Sequence, residues 1–221
     1  MAGDIPTAKT RRRRRDGEQT WRRVLDAATE SILDNGYYHT SSNEIARRAG
    51  VTWGAIQHQF GTREGLLLEL LNDRWNRLQQ RMATGEVRGD TLEQRLHCVL
   101  EVLASHYEQP EHLVQLQILL DLSQNPNTSI ETRQAVELHG ERLIKAWQPL
   151  FVCALGDAAD EADLVRYAFS TLRGYLQGRL ISSSIAEIAD DTRERELLIR
   201  GVAAAIRAEA ERRGVSVAYR P

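Results

Sequence analysis

The chain has 221 residues, a formal net charge of −2, 42% hydrophobic residues and 27% charged residues. This composition is typical of a globular protein, and the sequence lacks both a run of about 18 apolar residues and the apolar segment of a secretory signal. The two cysteines, Cys98 and Cys153, lie far apart. We therefore expect a cytoplasmic protein with buried thiols, no disulfide framework and no membrane partner.

The N-terminal segment is polar and basic. Residues 1–17 contain Pro6 and a run of five arginines, Arg11–Arg15. We predict that this segment is a disordered basic arm. Such a run is typical either of a solvated tail or of an arm that binds nucleic acid, and the sequence leaves both interpretations open.

A helical period of apolar residues begins near Gln19 and ends at Asn35-Gly36. The apolar residues recur three and four positions apart, at Trp21, Val24, Leu25, Ala28, Ile32 and Leu33. This spacing places them on one face of a helix, and Gly36 is suited to the left-handed conformation that ends it.

Two short helices are predicted next, on either side of Gly50. Thr40 or Ser41 is suited to cap the first helix, and Thr52 the second, which ends near Phe60-Gly61. The residues assigned to packing are Ile45, Ala46, Ala49, Val51, Ile56, Phe60 and Leu66. Two short helices joined by a tight turn with a glycine form the helix-turn-helix pattern.

A longer helix is predicted over residues 62–82, and five more follow it. Their predicted ranges are Leu92–Tyr107, Glu111–Leu122, Ser129–Ala154, Glu161–Ser182 and Thr192–Arg212. No window alternates apolar and polar residues as a strand does. We predict an all-α fold of about nine helices, with a helix-turn-helix domain at 18–62 and a larger helical domain at 63–221.

Many positions of the segment from residue 18 to 72 carry one family pattern. They are Asn35-Gly36-Tyr37, Thr40-Ser41, Glu44-Ile45-Ala46, Ala49-Gly50-Val51-Thr52, His58, Phe60, Thr62, Arg63, Glu64 and Leu66. The segment resembles the DNA-binding domain of the tetracycline-repressor (TetR) family. Ser42, Trp53, Gln57 and Gly61 depart from the pattern. The resemblance implies a transcriptional regulator with a C-terminal domain for ligand binding and dimerisation.

DNA contacts are predicted mainly at the start of the second short helix, because the first residues of a recognition helix face the base edges. Gly54 and Ala55 are small enough for close approach, and Gln57 is suited to adenine. Trp53 either contacts DNA or packs within the domain, and His58 either binds a phosphate or a group in the domain. The predicted contacts are Thr40, Ser41, Thr52, Trp53, Gly54, Ala55, Gln57, His58 and Arg63.

The last two helices are predicted to form a homodimer interface, from the family resemblance and from small residues four apart. The residues assigned to it are Gly174, Gly178, Leu198, Gly201, Val202 and Ala205. The same small residues also suit close packing inside one subunit.

A ligand pocket in the middle helices is implied by the resemblance alone. The predicted lining residues are Leu96, Leu100, Leu103, Tyr107, Leu116, Leu119, Leu143, Trp147, Phe169, Leu172 and Arg173. Apolar residues with this spacing more often belong to an ordinary core than to a pocket. Arg173 is suited either to an anionic ligand or to a carboxylate on a neighbouring helix.

The sequence thus predicts a repressor that binds palindromic double-stranded operator DNA as a homodimer and is released by a small-molecule effector. An activator, or a protein-interaction adaptor with the same DNA-binding domain, is the alternative. No CxxC, HExxH, GxSxG or P-loop motif occurs, so we expect no enzymatic activity, no catalytic residue, no metal site and no cofactor.

Overall fold

The structure is a computed structural model that describes residues 8–84, 86–186 and 192–218. Within these ranges the chain is helical and contains no strand, which confirms the all-α prediction. The nine α-helices of the described residues are α1 (Ala8–Asn35), α2 (Ser42–Ala49), α3 (Trp53–Phe60), α4 (Arg63–Thr84), α5 (Leu92–Tyr107), α6 (Pro110–Gln124), α7 (Ile130–Leu155), α8 (Ala162–Ser183) and α9 (Thr192–Arg213). A 3₁₀ helix, Gly156–Asp160, joins α7 to α8.

The first helix begins at Ala8, well before the predicted start near Gln19. The prediction of a disordered arm over residues 1–17 is therefore wrong from Ala8 onward, and residues 1–7 lie outside the described part. Arginine is a strong helix former, and a helix that is already nucleated extends at little cost. The contacts of the Arg11–Arg15 side chains also lie outside what is described.

The two short helices begin and end where the capping residues predict. The Ser41 hydroxyl accepts a hydrogen bond from the Glu44 N–H, and Gly50 ends α2 with a φ of 63°. The Thr52 hydroxyl caps α3 in the same way, by accepting from the Ala55 N–H at 3.2 Å. The α2–turn–α3 pair is thus held by local hydrogen bonds that the sequence specifies.

The chain divides into two compact units. The N-terminal unit comprises residues up to Arg74 together with Val114–Val136, and the C-terminal unit comprises Trp75–Leu113 and the residues from Glu137 onward. The predicted boundary between residues 62 and 63 needs correction, because apolar residues of α6 belong to the same buried cluster as α1–α3. Three helices, α4, α6 and α7, therefore contribute residues to both units.

Each unit has its own buried core. In the N-terminal unit, residues of α1, α2, α3, α4 and α6 form one cluster, which includes Ile45, Ile56 and Ile118. In the C-terminal unit, the cluster is built from α5, α7, α8 and α9 and includes Trp147 and Phe151. None of the described helices is both long and apolar enough to cross a membrane.

A hydrogen bond within the N-terminal unit links the α1–α2 connection to α6. The Tyr37 side chain is 5% exposed, and its hydroxyl donates to the Asp121 carboxylate at 2.6 Å. Burial first, and then the bond to Asp121, raise the pKa of Tyr37 above its usual value. The hydroxyl therefore stays protonated and remains a donor to this carboxylate at neutral pH.

We expect Tyr37→Phe to lower the free energy of unfolding by about 1.5–3 kcal/mol, because it leaves a carboxylate without its buried donor. Tyr38→Phe is the matched control, since the neighbouring Tyr38 side chain is 84% exposed and its change should stay within about 0.5 kcal/mol. Chemical denaturation of both variants measures the difference. Equal effects of the two substitutions would show that the Tyr37–Asp121 bond adds no stability.

Candidate functional site

One side of α3 is anchored in the N-terminal unit and the other faces solvent. Ile56 and Phe60 are 1% and 9% exposed and belong to the buried cluster. Gly54, Ala55 and Gln57, which were predicted to contact DNA, are all exposed. The exposed His58 also extends from this helix. The helix therefore presents small and polar residues at its N-terminal end while its apolar residues hold it in place.

Trp53, the first residue of α3, is half-buried and packs against the core cluster of the N-terminal unit. The sequence left open whether this indole packs within the domain or contacts DNA. Part of its surface is used for packing, and the remainder stays available at the start of α3. The capping residue Thr52, which precedes it, is exposed.

Gly54 and Gly65 differ in whether the folded chain has room for a side chain at that position. A Cβ added at Gly54 would have only the Thr52 hydroxyl oxygen nearby, at 3.9 Å, whereas a Cβ added at Gly65 would overlap the carbonyl oxygen of Phe60. The missing side chain at Gly65 thus permits the close approach of α4 to the end of α3. No such internal reason exists for Gly54, which leaves space on the exposed side of α3.

Two of the predicted DNA contacts serve the fold. Thr40 is 1% exposed, and its hydroxyl donates to the Gly36 carbonyl at 2.9 Å, so we remove its side chain from the candidate contacts. Arg63 is half-buried and donates to the Thr40 carbonyl at 2.7 Å, with its guanidinium 5.5 Å from the centre of the Tyr37 ring. Any phosphate contact of Arg63 has to use its remaining donors. Sequence spacing placed both residues near the surface but did not show these hydrogen bonds.

The charge around α2 is largely paired. Glu44 accepts from both Arg47, at 2.8 Å, and Arg48, at 2.7 Å, and these two bonds hold the pKa of its carboxyl at about 2. Arg48 also pairs with Asp34 at 2.6 Å. The exposed Ser41, at the N-terminus of this helix, remains a candidate phosphate contact because helix N-termini attract anions.

Glu64 is another residue of the family pattern that serves the fold. Its carboxylate accepts from the Thr132 hydroxyl at 2.6 Å and from the Ser129 hydroxyl at 3.0 Å, and these bonds lower the pKa of Glu64. Glu64 thereby links the start of α4 to the start of α7 within the N-terminal unit. The family pattern includes Glu64, but it does not indicate that Thr132 and Ser129 are the partners of its carboxylate.

The C-terminal unit contains a cavity of 590 Å³ on α7, the 3₁₀ helix and α8. Three of the predicted ligand residues, Trp147, Phe169 and Arg173, lie in its wall. Sequence reasoning did not predict the two exposed cations of the wall, Lys145 and Arg166. Charged residues on a helix ordinarily indicate a solvated face, and only the packing of α7 and α8 shows that these two face a cavity.

The other predicted ligand residues lie elsewhere. Five of them are completely buried in the C-terminal core and do not line this cavity, namely Leu96, Leu100, Leu103, Tyr107 and Leu172. Leu143 packs partly against the same core. Leu116 and Leu119 belong to the N-terminal unit, where Leu119 packs against the other cluster. Helical periodicity identifies buried positions, but it does not separate a filled core from a cavity wall.

The residues predicted for a dimer interface separate into two groups. Gly174, Gly178, Gly201 and Ala205 are exposed, and a Cβ added at any of the three glycines would meet nothing within 4 Å. We call these four residues the small-residue face. Val202 is 2% exposed and Leu198 packs partly against the C-terminal core. Val202 is therefore packed inside the subunit and is not available to a partner. Packing inside the subunit gives no reason for the glycines, because a side chain would fit at each of them.

Comparison with known proteins adds to this geometry. Residues 24–70 match the family described as bacterial regulatory proteins of the tetR family. The chain is 28% identical over 115 residues to the fatty acid metabolism regulator protein of Bacillus subtilis (strain 168), a match that covers 51% of this chain and 56% of that protein. It is 38% identical over 55 residues to the A-factor receptor protein of Streptomyces griseus, covering 25% of this chain and 20% of that protein. The matches thus span about half or less of these relatives.

The whole fold is also similar to solved structures. The transcriptional regulator FadR from Bacillus subtilis, solved in complex with stearoyl-CoA, superposes with a TM-score of 0.58 at 19% identity, covering 84% of this chain and 97% of that chain. The capped α2–α3 pair in an all-helical chain defines a helix-turn-helix protein. Over residues 24–70, which include this pair, the chain matches the tetR family of bacterial regulatory proteins.

Proposed function

We propose that this protein is a ligand-responsive transcriptional repressor that binds a palindromic operator as a homodimer and is released by a small molecule. The observation that carries the proposal is the exposed N-terminal end of α3, with Gly54, Ala55 and Gln57 in solvent and Ile56 buried beneath them. A helix anchored in this way is suited to the major groove, where its first residues reach the base edges. Such a regulator works in the cytoplasm, where the operator is.

Dimerisation is part of the proposal because a single α3 reads too few base pairs for selective binding in a genome. We place the interface on the small-residue face, where α8 and α9 expose glycines that the subunit itself does not need. Exposed Ile181 and Leu197, on the same two helices, would add apolar area. Two copies related by a two-fold axis would present their α3 helices about 34–36 Å apart.

Release by a ligand is supported by the cavity and by the helices that both units share. The cavity wall includes residues of α7, and α7 also contributes Val136 to the N-terminal unit. A ligand shifts the equilibrium only if it binds one conformation more tightly than the other. We expect the ligand-bound conformation to hold the two α3 helices at a spacing that does not match successive major grooves.

Gln57 is the residue that we expect to contribute most to the recognition of a base edge. We expect Gln57→Ala to weaken operator binding by about 1–3 kcal/mol for each half-site, because a bidentate contact to adenine would be lost. Fluorescence anisotropy with a duplex from the promoter of the protein's own gene measures the affinity. Gln80→Ala is the matched control, since Gln80 is also an exposed helical glutamine but lies in α4 of the C-terminal unit.

The same assay tests the proposed function as a whole. Specific binding to a palindromic promoter sequence, at salt where a scrambled duplex does not compete, is the expected result. A protein that binds both duplexes equally, or neither, would contradict the proposal. Transcription from the promoter then separates a repressor from an activator or an adaptor, because only a repressor lowers it when no ligand is present.

A further inference from the structure

Three buried polar groups of the C-terminal unit lack hydrogen bonds of ordinary geometry within the described residues. They are the Tyr107 hydroxyl, the Trp147 indole N–H and the Arg173 Nε. Tyr107 and Trp147 are 0% and 1% exposed, whereas the whole Arg173 side chain is half-buried. Buried polar groups are ordinarily bonded, so three exceptions in one region require an explanation.

The three groups belong to one continuous aromatic cluster. The rings of Tyr107 and Trp147 lie 5.8 Å apart, the rings of Trp147 and Phe169 lie 6.3 Å apart, and the Arg173 guanidinium lies 5.0 Å from the centre of the Phe169 ring. Trp147, Phe169 and Arg173 also form part of the wall of the 590 Å³ cavity. The donors therefore lie at and directly behind this wall.

Tyr107 differs from the other two groups, because its hydroxyl oxygen can accept and lies close enough to Trp147 and Arg173 for both to lower its pKa. The indole N–H and the guanidinium accept no hydrogen bond at all. Burial raises the pKa of Tyr107 to about 12, against the opposing effects of the Arg173 charge and the Trp147 indole. The Tyr107 hydroxyl is thus protonated and neutral at neutral pH, so it does not balance the charge of Arg173. The partner that Arg173 lacks at the cavity wall is an anion with acceptor oxygens, and a carboxylate is the simplest one.

The charge of the cavity wall favours an anion. Three cationic side chains, Lys145, Arg166 and Arg173, line it with one carboxylate, Asp160. Among the described residues, none of these three cations makes an ion pair, and Asp160 has an interaction of its own. A cation that is half-buried without a counter-ion is costly, and the cost falls when an anion binds beside it.

The rest of the wall specifies the body of the ligand. Most of it is aromatic and aliphatic, with Phe151, Val152 and Val165 beside Trp147 and Phe169, and Gln148 and Ser170 are its uncharged polar residues. A cavity of this size is within the range that holds a drug-sized molecule. The walls therefore suit a flat or flexible apolar body, and the donors suit an acidic head group.

We infer that the effector is an organic carboxylate with an apolar body, whose carboxylate accepts from Arg173 in the wall that also carries Lys145 and Arg166. This inference rests on the proposed function for its regulatory meaning, because binding at the cavity releases DNA only if the protein is a ligand-responsive regulator. The sequence left Arg173 open between an anionic ligand and a neighbouring carboxylate. No carboxylate of the described residues pairs with it, which favours the ligand.

Calorimetric titration of the full chain tests the inference with 2-naphthoate and decanoate, each compared with its neutral amide, and with stearoyl-CoA. We expect at least one carboxylate to bind tenfold or more tightly than its amide. Arg173→Gln should remove this preference without changing the affinity for the amide. Tyr107→Phe should leave the preference for the carboxylate unchanged, because Tyr107 is completely buried and does not line the cavity.

Several results would overturn the inference. They are equal affinities for acid and amide, binding of stearoyl-CoA alone with no effect of Arg173→Gln, or no heat with any probe, which would mean that ordered water serves Arg173. Parallel operator titrations keep the two hypotheses apart. If only neutral compounds release the protein from the operator, the carboxylate effector is refuted and the repressor function stands. If a carboxylate binds in an Arg173-dependent way but the protein does not bind an operator, the repressor function is refuted and the carboxylate site stands.

Discussion

Gly178→Arg is expected to convert the protein to a folded monomer that has lost most of its operator affinity. Gly178 is exposed on α8, and an added Cβ would meet nothing within 4 Å in the subunit. Arginine is also a better helix former than glycine. The subunit should therefore accept the side chain, while a partner packed against the small-residue face should not. Loss of the second half-site lowers the affinity by roughly 10²–10⁴-fold.

Sedimentation equilibrium gives the oligomeric state, circular dichroism gives the melting temperature, and anisotropy gives the operator affinity. Gly140→Arg is the matched control, because an added Cβ at Gly140 also meets nothing within 4 Å but the residue lies on α7. This control should remain a dimer. A Gly178→Arg protein that stays dimeric would move the interface away from the small-residue face, and a monomeric wild type would remove the proposed dimer altogether.

The second large effect is expected at Gly54, where the free protein has room for a side chain and the proposed complex does not. Gly54→Ala should leave the stability unchanged or raise it by up to about 1 kcal/mol, as for an exposed helical glycine. A methyl group forced into a close interface costs about 1–3 kcal/mol, which corresponds to a loss of about 5- to 150-fold in operator affinity. The variant should thus be a stable protein that binds DNA poorly.

Gly65→Ala is the contrasting variant, because its Cβ would overlap the Phe60 carbonyl oxygen. It should lower the melting temperature, and any loss of DNA binding should follow from that loss of stability. Thermal denaturation and anisotropy on both variants separate the two cases. Full operator affinity in Gly54→Ala would show that α3 does not approach DNA through this residue.

The prediction of individual helices from sequence was accurate where the signal is local. The predicted range Leu92–Tyr107 coincides with α5, and the other helices of the C-terminal part differ from prediction by a few residues at most. The N-caps at Ser41 and Thr52 follow from hydrogen bonds that span three residues. The exception is the segment before Gln19, where the run of charges favours a solvated arm but the helix propensity of arginine extends α1 back to Ala8.

The sequence by itself determined the helix positions, the turn between α2 and α3 and the exposed residues of α3, because apolar spacing, caps and glycines act over a few residues. Only the tertiary structure decided which of these residues are used internally. In the folded chain Thr40 is buried, and Arg63 donates a hydrogen bond to the Thr40 carbonyl. Part of α6 packs into the N-terminal core, and Arg173 lies in the wall of a cavity. These outcomes depend on contacts between residues that are far apart in the chain, and local sequence patterns do not predict such contacts.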